Sequence, residues 1–167
     1  KNYNVSGSIE DLILQKVYKG RKSIIGIGDN LVRKEIYLQL NDLSGMNFSN
    51  VISKEAFLSK YSSLGNGNLI VTGAVINHSV VIGDNSIINT SATIDHDCVI
   101  GSNVHIAPGA NLAGNVSVGD DTLIGIGAAI APNIKIGRNS LIGAGSVVIR
   151  DVEANTQVFG NPAHEKK

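Results

Sequence analysis

Three residues in "TIDHDCVIGSNVHIAP" (93–108) have the types and spacing for acid–base chemistry: His96, Asp97 and His105. An imidazole titrates near neutral pH. A carboxylate beside it can hold one ring N–H, fix the tautomer and raise the basicity of the other nitrogen, as a general base requires. Adjacent side chains on an extended segment point apart, so a His96–Asp97 contact needs a corner in the backbone. Cys98 is the only cysteine, which excludes an internal disulfide framework and a thiolate metal cluster. It also fits a reducing compartment, with the cytoplasm as the expected location.

The element that carries these residues is a repeat. From Ile52 to Val148, every sixth residue is Ile, Leu or Val, seventeen positions in all. The residue four places further on is nearly always small, as at Ala74, Ala92, Cys98 and Ala110, with Asn68 and Ile134 as the exceptions. Glycine directly follows the aliphatic residue at 65, 83, 101, 119, 125, 137 and 143, where the chain must turn a corner and a Cβ would clash. A six-residue period keeps no single face of a 3.6-residue helix, and Asn-Gly hairpin turns are almost lacking. The pattern is that of a parallel β-helix, in which three hexads close a triangular coil of about eighteen residues. Seventeen hexads make between five and six coils, and Cys98 falls in a small inward slot where it packs as a compact hydrophobe.

His96 and His105 fall outside the inward slots. Nine residues separate them, half a coil, so within one subunit they lie on different faces. A β-helix prism that closes into a trimer sets one face against a different face of its neighbour, so His96 of one chain and His105 of the next can line one pocket. His78 lies eighteen residues before His96, one coil below in the same column. A metal pair is conceivable there, but with no obvious third ligand the two rings read as a surface stack. His164 reads as solvated.

Before Ile52 the pattern changes. Ser8-Ile9-Glu10-Asp11 reads as a capping box opening a short helix through about Val17, "KSIIGIG" as a buried strand, and "DNLVRKEIYLQL" as an amphipathic helix capped near Asp29. This is a βα piece of a doubly wound domain. Its Gly26-x-Gly28 either brings backbone to a phosphate or makes a tight strand-to-helix turn. The division expected is a partial α/β domain over 1–50, the β-helix over 51–153 and a tail over 154–167. With no Met at the start and no earlier strand-loop-helix, half of the first domain is expected to precede Lys1.

The totals narrow the partners. The 167 residues, 43% of them hydrophobic, are enough for a real core. Fourteen basic and fourteen acidic residues cancel, and no long cationic run offers a footprint for nucleic acid or an anionic membrane. No apolar run approaches the roughly 18 residues of a membrane span.

The stretch "INTSATIDHDCVIGSNVHIAPGANLAGNVSVG" (88–119), "GNPA" (160–163) and "IGIGDN" (25–30) resemble a known family. It is the bacterial hexapeptide acetyltransferases that modify nucleotide-linked amino sugars or sialic acid, including the N-acetyltransferase of the UDP-N-acetylbacillosamine pathway. The resemblance implies a left-handed parallel β-helix preceded by part of a Rossmann-like domain, acetyl-CoA as co-substrate, no metal cofactor, and a homotrimer with sites at subunit interfaces. It implies His96 as the base and Asp97 as the carboxylate that raises its basicity, where many members have Glu. His105 matches a histidine at acetyl-CoA, and Ile126 and Ala144 match backbone positions along the CoA channel. Asn89 matches a position near the acceptor sugar and Gly28 one near its nucleotide. The family's first glycine-rich loop is not in this sequence.

The expected reaction is direct acetyl transfer to the amino group of a nucleotide-linked sugar, with O-acetylation of sialic acid as the alternative. A carbonic-anhydrase-type metal enzyme would need a closer histidine pair, and a non-catalytic scaffold would leave the His96–Asp97 pair without a purpose.

Overall fold

The computed structural model describes residues 7–15 and 18–166. Seventeen two-residue strands, from β1 (Val51–Ile52) to β17 (Val147–Val148), begin every six residues. Every third strand joins the same sheet by parallel, in-register pairing, so each residue sits over the one eighteen places earlier. The result is a left-handed parallel β-helix of about six turns.

The aliphatic column and the small column meet on the axis. Ile76, Ile88, Ile94 and Ile106 are fully buried, as are Ala74, Ala92, Cys98 and Ala110. Each large aliphatic side chain contributes about 1.5–3 kcal/mol of transfer free energy, and stacking repeats the contribution coil after coil. Asn68, one exception in the small column, is also fully buried; its amide donates to the Gly83 carbonyl and its oxygen accepts from the Ser86 N–H.

The corners correct one detail of the sequence reading. From residue 67 to residue 145 every sixth residue has a positive φ, between 53° and 73°, and each is Gly, Asn, Asp or Ser. This position is two residues beyond the glycines that follow the aliphatic column, and none of those glycines has a positive φ. Their requirement is space: a Cβ at Gly119, for example, would lie 2.5 Å from the Arg138 nitrogen in the next coil.

The last coil was hidden by its length. β18 (Gln157–Phe159) pairs with β16 (Leu141–Ile142) in the register Ile142↔Val158, a step of sixteen residues instead of eighteen. Residues 154–166, read from the sequence as a tail, thus carry a strand of the largest sheet and then β19 (His164–Glu165), antiparallel to it. A two-residue shortening breaks the hexad count while leaving the stack intact.

In the N-terminal part, α1 spans Ile9–Gln15 and opens with the expected capping box: the Asp11 N–H donates to Ser8 Oγ and the Ser8 N–H to Asp11 Oδ2. Val17, where that helix was expected to end, lies outside the described residues. α2 spans Asn30–Asn41, with Asp29 as its N-cap accepting from the Val32 N–H. "KSIIGIG" is not a regular strand; it makes one parallel bridge, Ser23↔Phe48. Among the described residues no further strand flanks it, and a single neighbour does not sustain a ladder. No helix among the described residues is long and apolar enough to cross a membrane.

Candidate active site

His96 and Asp97 sit in the turn between β8 (Thr93–Ile94) and β9 (Val99–Ile100). Asp97 occupies the left-handed position of that turn, with φ 59°, and this supplies the corner that an extended segment lacks. The neighbouring side chains converge, with His96 Nδ1 2.8 Å from Asp97 Oδ2. The His96 N–H donates to Asp95 Oδ1, which also accepts from the Asn77 amide, so the turn is pinned on both sides. The Asp97 carboxylate holds the His96 pKa above its ordinary value, and His96 in turn holds Asp97 below the usual carboxylate range. With Nδ1–H donating to the carboxylate, Nε2 carries the lone pair. The two side chains are 48% and 53% exposed, so both are open to solvent and to a small molecule.

The column above and below His96 is equally specific. His78, one coil below, stacks on it with ring centroids 5.4 Å apart and planes inclined by 17°, as the sequence spacing anticipated. One coil above stands Gly114, where a Cβ would lie 2.7 Å from both Cε1 and Nε2 of His96. Gly114 therefore leaves the room that the imidazole uses. Sequence reasoning passed over it, although adding one coil of eighteen residues to His96 leads directly there.

His105, Asn89 and Gly28, singled out separately, form one hydrogen-bonded chain. His105 is on β10 (His105–Ile106), at the face where α2 docks. Its Nδ1 is 3.1 Å from the Gly28 carbonyl oxygen, and its Nε2 is 3.0 Å from the Asn89 amide nitrogen. The carbonyl accepts only, so Nδ1 carries the hydrogen and Nε2 accepts from Asn89. Burial keeps the His105 pKa below its ordinary value, against the pull of the Gly28 carbonyl and helped by the Arg33 charge. The ring is thus neutral and fixed in one tautomer.

Arg33 of α2 holds the Gly28 segment in place, and nothing in its motif signals that role. The residue is 1% exposed. Nε donates to the Asn85 carbonyl, Nη1 to Ile27 and Gly28, and Nη2 to Asn103 and the Asn30 side chain. Burial lowers its pKa to about 10, opposed by the Asp29 charge. The Gly28 carbonyl is thus shared by Arg33 and His105, and neither Gly26 nor Gly28 has a positive φ. Beside it a cavity of about 420 Å³ opens between Gly28–Leu31 and the outward residues Leu123, Leu141 and Gln157.

Ile126 and Ala144 are exposed and one coil apart on a single corner, in the column that continues down through Pro108 to Thr90, next to Asn89. The Gly145 N–H donates to the Ile126 carbonyl and the Gly127 N–H to that of Pro108, which makes the column a continuous rail along the axis. His96 lies at a different corner. Within one chain the structure does not bring it to His105.

The family model for bacterial transferase hexapeptides, six repeats, matches residues 79–114 and 115–150. No curated protein matches the chain by sequence at a significant level. Among solved structures, PerB from Caulobacter crescentus in complex with CoA and GDP-perosamine is 36% identical, with a TM-score of 0.92 over 96% of this chain and 77% of that one. The acetyltransferase domain of PglB from Neisseria gonorrhoeae with acetyl coenzyme A is 31% identical, with a TM-score of 0.89 over 99% and 84%. WeeI from Acinetobacter baumannii is 30% identical, with a TM-score of 0.85 over 92% and 76%. The chain belongs to the bacterial hexapeptide transferase family, acyltransferases built on a left-handed parallel β-helix. Its likeness within that family is to the acetyltransferases of sugar pathways.

Proposed function

We propose that the chain transfers the acetyl group of acetyl-CoA to the amino group of a nucleotide-linked sugar, with His96 as general base. The observation that carries this reading is the exposed imidazole held by Asp97 through Nδ1, with its lone pair left on Nε2. The relatives support the two substrates: PerB was solved with CoA and GDP-perosamine, and PglB with acetyl coenzyme A. Two histidine variants of perosamine N-acetyltransferase were also solved with CoA and GDP-perosamine bound.

The acceptor nitrogen attacks the thioester carbonyl carbon and its proton passes to His96 Nε2. The tetrahedral oxyanion collapses, the carbon–sulfur bond breaks and the CoA thiolate leaves with its charge or takes the proton from the imidazolium. No acyl-enzyme forms on this route. Cys98, the only thiol, is buried with its pKa raised by burial, so it is a poor nucleophile.

The remaining residues have assigned places. His105 contacts acetyl-CoA, and the rail of Ile126 and Ala144 lies along the CoA arm. Asn89 meets the acceptor sugar, and Gly28 with its adjoining cavity takes the nucleotide. Because His96 and His105 lie on different faces, a site that uses both is made between neighbours, and the working form is a homotrimer. The division into an acceptor domain over 1–50 and a β-helix from 51 onward, whose last parallel strand is Gln157–Phe159, belongs to the same reading, as does a cytoplasmic location.

The test is CoA release from acetyl-CoA with a panel of UDP- and GDP-linked amino sugars, sialic acid and its CMP form. Turnover on a nucleotide amino sugar that falls about 10²- to 10⁴-fold in His96→Ala is expected. Turnover on sialic acid alone would move the acceptor to a hydroxyl, and an equal rate in the variant would remove His96 from its role.

A further inference from the structure

His78 has no part in the reaction proposed above, and it fills neither inward slot of its coil. The repeat nonetheless places it where a second metal-binding group would stand. His78 and His96 occupy the same turn position in consecutive coils, which parallel pairing spaces by about 4.8 Å. Their rings are 5.4 Å apart and nearly parallel, so their edges are set side by side. The sequence reading set a metal pair aside for want of a third ligand. The left-handed backbone at Asp97 supplies one: His78, His96 and Asp97 each offer a ligand atom, and these atoms all lie within 4.8 Å of one another.

We infer that His78, His96 and Asp97 form a chelating site for a borderline transition-metal cation of the Zn²⁺ class, and that its occupation silences the base. Two imidazole nitrogens and one carboxylate oxygen suit Zn²⁺, Ni²⁺ or Cu²⁺, whereas Mg²⁺ and Ca²⁺ prefer all-oxygen sites. Bonds of about 2.0–2.2 Å place donors about 3.3–3.5 Å apart around a tetrahedral ion. At most about 1.5 Å of closure is then needed, within reach of rotations about χ1 and χ2 in three exposed side chains. Solvent completes the coordination. Asp95, which accepts from the His96 N–H, adds a further negative charge beside the cluster.

Binding follows from the geometry alone, while inhibition rests on His96 being the proposed base. A metal that takes the imidazole lone pair leaves His96 unable to accept the acceptor's proton, and one that draws Asp97 off Nδ1 lowers its basicity. Any path that admits a sugar amine to His96 also admits a hydrated cation, so occupation competes with the acceptor. His78 is the third protein ligand of the site, and it has no assigned part in turnover.

The experiment uses the tag-free full chain stripped with EDTA, titrated with Zn²⁺ by calorimetry and with Co²⁺ by visible absorption. Parallel titrations use His78→Ala and, as a control, His164→Ala. Initial rates are measured across the same Zn²⁺ range. One ion per protomer is expected, with affinity at least tenfold weaker in His78→Ala and unchanged in His164→Ala. Zn²⁺ should inhibit the wild type, EDTA should reverse it, and His78→Ala should keep its turnover while needing at least tenfold more Zn²⁺. No saturable binding up to 100-fold excess metal, or equal affinity in His78→Ala, overturns the site. Binding that requires His78 but leaves turnover untouched upholds the site and overturns the inhibition, and counts against His96 as base. If the protein turns over none of the acceptors, the two titrations still decide the site.

Discussion

Replacing Gly114 by Ala should disable His96 without disturbing the fold. The added Cβ would lie 2.7 Å from Cε1 and Nε2 of His96 and 3.2 Å from Nδ1. Ordinary carbon contacts begin near 3.5 Å, so the ring must withdraw by about 0.8 Å or more. Gly114 does not use a positive φ, so alanine is accepted by the backbone there. The atoms it meets belong to an exposed side chain that can move, so the midpoint of thermal unfolding should shift by no more than about 2 °C. Catalysis has less tolerance. A misplacement of about 1 Å costs on the order of 10²-fold, about 2.7 kcal/mol in the barrier. The displacement also stretches the 2.8 Å contact to Asp97, which lowers the basicity of the ring. CoA release under saturating acetyl-CoA, with circular dichroism melting in parallel, checks both halves. Wild-type kcat in Gly114→Ala would refute the reasoning, because the base would then not act from the position the column gives it.

Three further outcomes are expected. The proposed base acts in its neutral form and Asp97 raises the His96 pKa, so kcat/KM should climb with pH through a limb above the ordinary histidine value; Asp97→Asn should move that limb to lower pH and reduce the plateau by about tenfold or more. Arg33→Lys loses the planar fork that serves four carbonyls and the Asn30 side chain, and should lower stability by about 2–4 kcal/mol in urea denaturation while raising KM for the acceptor, since Gly28, to which His105 is bonded, loses its anchor. Cys98→Ala removes a buried sulfur that donates to the Ala113 carbonyl; it should cost about 1–2 kcal/mol and leave kcat unchanged, and the native thiol should resist a disulfide reagent at pH 7.5 until the protein is unfolded. A reactive native thiol, or loss of turnover in that variant, would reopen a covalent route.

The solenoid and much of the register within it are legible in the order of the amino acids alone. In an in-register parallel stack the neighbour above any residue is the one eighteen places on, so tertiary contacts are written as a one-dimensional period. That is why the buried columns, the inward Cys98, the His78–His96 stack and the separation of His96 from His105 were all legible. The resemblance added chemistry to those positions. Other features are not encoded in the period and arise only in the folded chain. Whether Asp97 meets His96 depends on a left-handed φ, and the same hexad position holds Gly, Asn and Ser elsewhere in the chain. The sixteen-residue final coil breaks the count that reveals the others. The junction of Gly28 with His105 and Asn89, and the burial of Arg33 beneath them, arise where α2 docks on the β-helix across 52 to 77 residues of sequence. Contacts between two elements with different periods leave no spacing to read, because their register is chosen by packing and hydrogen bonding in the folded chain.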